Sequence, residues 1–179
     1  LCIKSYPVFR HVSLFMADDK GVSSMRKRIE SKRVETLNES AWLNIGDLAE
    51  VVLSSEHPER PVEGALTNGE TQGWCAGEPG LQTIRLIFDK PQKLERIYLE
   101  FSETSLVRTQ EYVLKWSPDF GSSFQEIVRQ QWNFSPEGST DEIEDFAVDL
   151  PDVTELELSI LPDIAGGTSL ATLRTMRLA

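Results

Sequence analysis

TIRLIFDKPQKLERIYLEF, residues 83–101, holds two runs of period two on either side of a turn cluster. In the first run Ile84, Leu86 and Phe88 fall on one side. In the second, Ile97, Leu99 and Phe101 do so, opposite Arg96, Tyr98 and Glu100. Apolar and polar residues alternating in this way describe strands that bury one face and wet the other. The intervening DKPQK reads as the turn between them, since proline has no N–H to give to a ladder.

The same period recurs outward from this pair. EVVLS, residues 50–54, precedes it, and QEYVLKWS, residues 110–117, sets Tyr112, Leu114 and Trp116 against Glu111, Val113 and Lys115. Further runs follow at 124–130, at 145–150 with Phe146, Val148 and Leu150 together, and at ELELSIL with Leu156, Leu158 and Ile160 together. LATLRTMRL closes the chain, its alternation interrupted at Arg174 and Thr175. SPDFGSS, QQWNFSPEGST and PDIAGGTS read as the turns and loops between strands. About eight strands with no long amphipathic helix among them predict an all-β domain, an antiparallel jelly-roll β-sandwich.

Two segments stand outside this pattern. SSEHPERPVEGALTNGETQGW, residues 54–74, runs for about twenty residues without a period, a length that marks either a functional loop or disorder; Trp74 is large enough to pin it to a core. At the other extreme, residues 1–24 show no sustained period. MRKRIESKRVETLNES, residues 25–40, is rich in helix formers, with Ile29, Arg33 and Leu37 on one face. The expected organisation is an N-terminal extension with a basic helix over 1–40 and the sandwich over 41–179, joined where AWLNIGDL turns and inserts Trp42 and Leu43.

Charge is distributed unevenly. The net of −11 divides into +5 up to Arg33 and −16 from Val34 onward. An acidic body repels phosphate backbones, so no nucleic-acid partner is expected of it. No apolar run reaches the eighteen or so residues of a membrane helix, and no charged n-region precedes an apolar h-region, so neither a membrane partner nor secretion is expected and the location is read as cytoplasmic. Cys2 and Cys75 match no metal-ligand spacing and give no disulfide framework.

Catalytic signatures are missing. His11 and His57 are the only histidines, which leaves no His-Glu-x-x-His helix and rests any Ser-His-Asp triad on His57 alone. The acids of DEIEDF, residues 141–146, read as a solvated segment rather than a glycosidase pair. A hydrolase would need Glu103, Glu111 or His57 in a cleft, and no catalytic residue is assigned.

Four stretches together resemble the galactose-binding-like β-sandwich superfamily, which includes factor 5/8 type C (discoidin-like) domains and many carbohydrate-binding modules. Ser54 and Ser55, then Ala65 and Leu66, an Asn-Gly turn and Trp74, are similar to its opening signature. TIRLIFDKPQKLERIYLEF resembles its next two strands, and YVLKWSPDFGSSFQEI resembles its hairpin, with Trp116, Ser117, Asp119, Gly121 and Phe124 in matching places. LATLRTMRL takes the position of the terminal strand. Locally, GWCAGEPGLQTIRLIF is also similar to the N-terminal domain of the X-ray-repair scaffold protein, an interaction module.

The resemblance implies a non-catalytic binding module, with carbohydrate recognition by loops at one end of the sandwich, and protein–protein interaction as the alternative. Sugar sites join an aromatic platform to planar hydrogen-bonding side chains. The expected ligand-binding residues are therefore Trp132 and Asn133 in QQWNFSP, Arg108 from a neighbouring loop, and His57 and Glu78 at the rim, with a glycan or a protein as the ligand. Many members of the superfamily hold a structural calcium through an acidic turn and a glutamate on the last strand. Here the turn is Asn68-Gly69 and the last strand offers Thr172, Arg174 and Thr175, so neither a metal nor any other cofactor is expected.

Overall fold

The structure is a computed structural model in which residues 42–67 and 72–179 are described; all of them fall in one compact unit, Leu37–Ala179. The expected basic helix, Cys2 and the Asn68-Gly69 turn lie outside the described residues. Eight strands and two four-residue helices make up the unit: α1 (Ile45–Leu48), β1 (Ala49–Leu53), α2 (Glu63–Leu66), β2 (Trp74–Pro79), β3 (Gln82–Ser102), β4 (Arg108–Ser117), β5 (Gln125–Phe134), β6 (Asp141–Leu161), β7 (Leu170–Leu173) and β8 (Thr175–Leu178).

Two long strands organise the fold. β3 and β6 pair antiparallel from Gln82↔Ile160 to Ser102↔Asp141, with breaks in register between Ile87 and Arg96. The first part of β3 and the second part of β6 belong to the run β1-β3-β6-β4-β5. Beyond the breaks, the second part of β3 is flanked by β8 and the first part of β6. The two parts face each other across the core, since the Phe101 ring of β3 stacks on Tyr112 of β4 at 5.0 Å although these strands do not pair. β2 and β7 form a separate two-stranded ladder.

Several expected turns prove to be strand. DKPQK continues β3 as a bend, because Gln92 pairs with Val153 and holds the ladder across the irregularity, a place where a sheet tolerates proline. The runs at 145–150 and 155–161 join into β6. QQWNF is the second half of β5, held by pairs from Gln131↔Glu111 to Phe134↔Arg108. WCAGEP forms β2 against β7, and the terminal run divides into β7 and β8 at Arg174, whose N–H donates to the Glu100 carbonyl at 2.8 Å.

The alternation of the sequence reappears in burial. Ile84, Leu86, Phe88, Ile97, Leu99, Phe101, Leu156, Leu158 and Ile160 are all buried, and Trp74 sits wholly inside with Trp116 packed against the core. Trp42 and Leu43 are half-buried, with Arg96 5.0 Å over the Trp42 ring, while Ile45 is the side chain that α1 buries. DEIEDF departs from expectation: Glu142 and Glu144 are in phase with Phe146, so they point inward, and Glu142 is only 2% exposed.

Trp74 owes its position to its neighbour. Gly73 has φ +70°, and a Cβ there would stand 2.3 Å from the Leu173 carbonyl oxygen and 2.6 Å from the Arg174 Cα. Gly73→Ala is expected to cost about 2 kcal/mol from the left-handed backbone alone, before the overlap is relieved. Urea unfolding of the variant checks it, with an unchanged midpoint contradicting the packing described.

Candidate functional site

Strand pairing gathers several connections at one end of the sandwich. Thr83 lies beside the end of β1, Ile160 beside the start of β3, Leu161 beside Glu111, and Asp141 beside Ser102. The long loop after β1, the β3–β4 connection and the segment after β6 therefore emerge together. At this end lies a cleft of about 430 Å³ with polar walls. Arg60 and Gln72 come from the long loop, Ser102 to Ser105 from the end of β3 and its connection, Thr172 from β7 and Arg174 from the break between β7 and β8.

The cleft floor is built on a buried ion pair. Arg108, 4% exposed, donates from Nε to Glu103 Oε2 at 3.1 Å and from Nη1 to the Pro162 carbonyl at 2.7 Å; its guanidinium lies 5.5 Å over the Phe134 ring. Glu103 Oε1 accepts from the N–H groups of Ser105 and Leu106, at 2.8 and 3.1 Å, and so folds the connection into a tight turn. Burial pulls the Arg108 guanidinium below its ordinary value, and Glu103 opposes that pull. A charge this enclosed persists because it is paired with Glu103 and each guanidinium nitrogen reaches an acceptor, Nη2 through Thr172 Oγ1 at 3.5 Å.

Arg60 reaches the cleft from a turn. The Arg60 N–H donates to the His57 carbonyl at 3.0 Å, and reciprocal bonds of 2.9 and 3.1 Å tie His57 and Arg60 to Cys75. The side chain then sends Nη2 to the Gln72 carbonyl at 2.8 Å. Arg174, half exposed, pairs with Glu100 at 3.3 Å and Asp141 at 3.6 Å. Hydrogen bonds from Thr140 and Ser102, then the charge of Arg174, hold the Asp141 carboxyl below its usual range.

The five residues expected to bind are not brought together by this geometry, and none lines the cleft. Arg108 is behind its wall. Trp132 is half-buried with its ring against the core and its Nε1 enclosed without a partner, whereas Asn133, next along β5, points outward. Adjacent strand residues face opposite sides, so these two cannot share one ligand. Asn133 Oδ1 accepts instead from Thr109 Oγ1 at 2.6 Å. His57 holds the turn that presents Arg60, and Glu78 is exposed on β2, its N–H donating to Ser55 Oγ at 3.2 Å. Glu111, on β4, is engaged by Arg129 and Gln131.

Sequence reasoning missed Arg60, Gln72, Thr104, Ser105 and Arg174 as site residues. Arg60 alone carried a signal, a cation wedged before Pro61 in the long loop. A second depression, about 390 Å³ beside β1, is walled mainly by apolar groups such as Val51, Leu53, Val62 and Leu66. Among the described residues no cluster of three histidine, cysteine or acidic side chains is poised to hold a metal ion.

No family model matches the chain, and no curated protein matches it. Solved structures do. The family 32 carbohydrate-binding module of NanJ from Clostridium perfringens, in complex with galactose, is similar at a TM-score of 0.57 with 14% identity, over 76% of this chain and 96% of that one. The CpGH89CBM32-5 module of Clostridium perfringens, in complex with GalNAc-β-1,3-galactose, gives 0.56 with 19% identity over 77% and 99%. Chitosan-binding module 1 of a Paenibacillus chitosanase/glucanase gives 0.52 with 16% identity over 76% and 98%. At these identities the likeness is one of fold: the chain shares the antiparallel jelly-roll β-sandwich of these modules.

Proposed function

We propose that this galactose-binding-like β-sandwich is a non-catalytic carbohydrate-recognition module, and that it holds its ligand in the polar cleft at the loop end. One observation carries the reading: a cleft of about 430 Å³ where Arg60, Gln72, Glu103, Thr104, Ser105 and Arg174 converge from three separate parts of the chain. Guanidinium, amide and hydroxyl groups at fixed positions are the partners that sugar hydroxyls require. That modules of the same fold were solved with galactose and with mannuronic acid bound supports the choice of ligand class.

In this reading the residues singled out from sequence act at one remove. Arg108 fixes Glu103 and the β3–β4 turn, His57 presents Arg60, and Trp132 and Asn133 secure β5 beneath the loops. Among the described residues Glu103 is the one carboxylate lining the cleft, and both of its oxygens are taken up by Arg108 and two backbone N–H groups, which supports a role in binding rather than bond breaking.

Titration of the full chain with galactose, N-acetylgalactosamine and galacturonic acid, followed by amide NMR, tests the proposal. Shifts are expected at Thr104, Ser105 and Gln72, and Arg174→Ala is expected to weaken binding about tenfold, the worth of one charge-assisted hydrogen bond. Shifts confined to other surfaces, or none with any sugar, would overturn it. A protein partner captured at low salt and lost at high salt would then favour the interaction-module reading, as expected of binding through an acidic surface.

A further inference from the structure

The cleft consumes its own acceptors and leaves donors over. Glu103 accepts from Arg108 and from two backbone N–H groups, and Arg174 is matched by Glu100 and Asp141. Arg60 differs from both neighbouring arginines, because no carboxylate among the described residues pairs with it. Its Nη2 reaches the carbonyls of Gln72 and Trp74, at 2.8 and 3.5 Å. Its Nε is enclosed without an acceptor, and Nη1 meets none among the described residues.

Carbonyl dipoles stabilise a guanidinium only in part. Among the described residues no carboxylate offsets the charge of this half-buried side chain, in a protein whose net charge is −11. The nearby thiol supplies no counter-charge: burial pushes the Cys75 thiol above its ordinary value, with Arg60 and then Arg108 opposing, so it stays neutral at pH 7. Beside Arg60 the cleft adds the Gln72 amide and the hydroxyls of Thr104 and Ser105. Nη1, the one guanidinium nitrogen neither enclosed nor bonded among the described residues, and these amide and hydroxyl donors together suit an anion, which strengthens each such hydrogen bond.

We propose that the cleft prefers sugars bearing a carboxylate, the class of uronic and sialic acids, and that Arg60 is the residue that reads the charge. This rests on the cleft being the sugar site, and it goes further by fixing the ligand's charge. Neutral sugars then bind through the same hydroxyl contacts but leave Arg60 without its anion.

The test compares galacturonic acid with its methyl ester, which keeps the ring and masks the charge, using galactose and acetate as further probes. On the full chain at about 0.02 M salt, the acid is expected to bind at least tenfold tighter than the ester, and the margin is expected to shrink at about 0.5 M salt. Arg60→Gln is expected to bring the acid down to the affinity of the ester, whatever that variant's ester affinity is, and Arg60→Lys to restore part of the preference. If Arg60→Gln fails to fold, the acid–ester comparison on the wild-type chain still decides. Equal affinity for acid and ester, with shifts at Thr104 and Ser105, would overturn the charge preference and leave the sugar site standing. Acetate binding as tightly as the acid would also overturn it, reducing the site to one for simple anions. No shift with any probe would remove both.

Discussion

Glu142→Gln is expected to stabilise the domain by about 3 kcal/mol at pH 8 and to change it little at pH 4. Glu142 is 2% exposed, and among the described residues its carboxyl meets no donor but the neighbouring Glu144 carboxyl. Near it are Glu144 on its own strand and Tyr112 on β4, and Gln130 on β5 donates to Glu144 at 3.2 Å. Among the described residues no cation offsets Glu142. Burial first, then the neighbouring carboxylate, pushes Glu142 up from 4.5 to about 7, and the same surroundings push the Tyr112 hydroxyl well above its ordinary value.

The direction of the pH effect follows from proton binding. Unfolded, Glu142 loses its proton near 4.5, and folded, near 7. Between those values the folded protein holds a proton that the unfolded chain has released, so stability falls as pH rises through this window and levels off above it. A shift of this size corresponds to about 3 kcal/mol. Glutamine imitates the protonated acid at every pH, so the variant escapes the loss. Urea midpoints of both proteins at several pH values from 4 to 8 check this, and parallel curves would contradict it.

Removing Arg108 is expected to be the most costly change near the cleft. Arg108→Met leaves Glu103, whose side chain is 14% exposed, facing a buried apolar group with no countercharge, and breaking one partner of such a pair costs about 3–5 kcal/mol. The loss spreads outward, because Glu103 also holds the N–H groups of Ser105 and Leu106. The combined variant Arg108→Met with Glu103→Gln is expected to recover much of the stability, since no charge is then stranded, but not the sugar binding, since the turn is no longer drawn in. Denaturant unfolding separates the first effect and NMR titration the second. Additive losses in the double variant would mean that the two side chains do not act as a pair.

Trp132 shows how a strand boundary governs a functional reading. With its strand ended at Gln130, QQWNF reads as a loop in which Trp132 and Asn133 are neighbours on one surface. Pairing with β4 runs on to Phe134, and along a strand Trp132 shares its face with Gln130 and the buried Phe134 while Asn133 faces away. DEIEDF misled in the same way: a high density of acids suggested solvent, but Glu142 and Glu144 keep the phase of Phe146, Val148 and Leu150. In both places the period of two was a better guide than polarity, and it was visible in the chain.

The amino-acid sequence by itself determined the faces of the strands, since alternation dictates which side chains can be buried together, and with them the all-β sandwich. It also determined that Trp74 anchors the loop before it, since a large apolar side chain in a polar stretch has only the core to go to. The cleft was decided by tertiary structure alone. Arg60, Glu103, Arg108 and Arg174 are spread over more than a hundred positions, each with acids enough nearby in the sequence to pair with. Only the pairing of β3 with β6 and of β2 with β7 fixes which carboxylate each arginine meets, and so leaves Arg60 with none among the described residues.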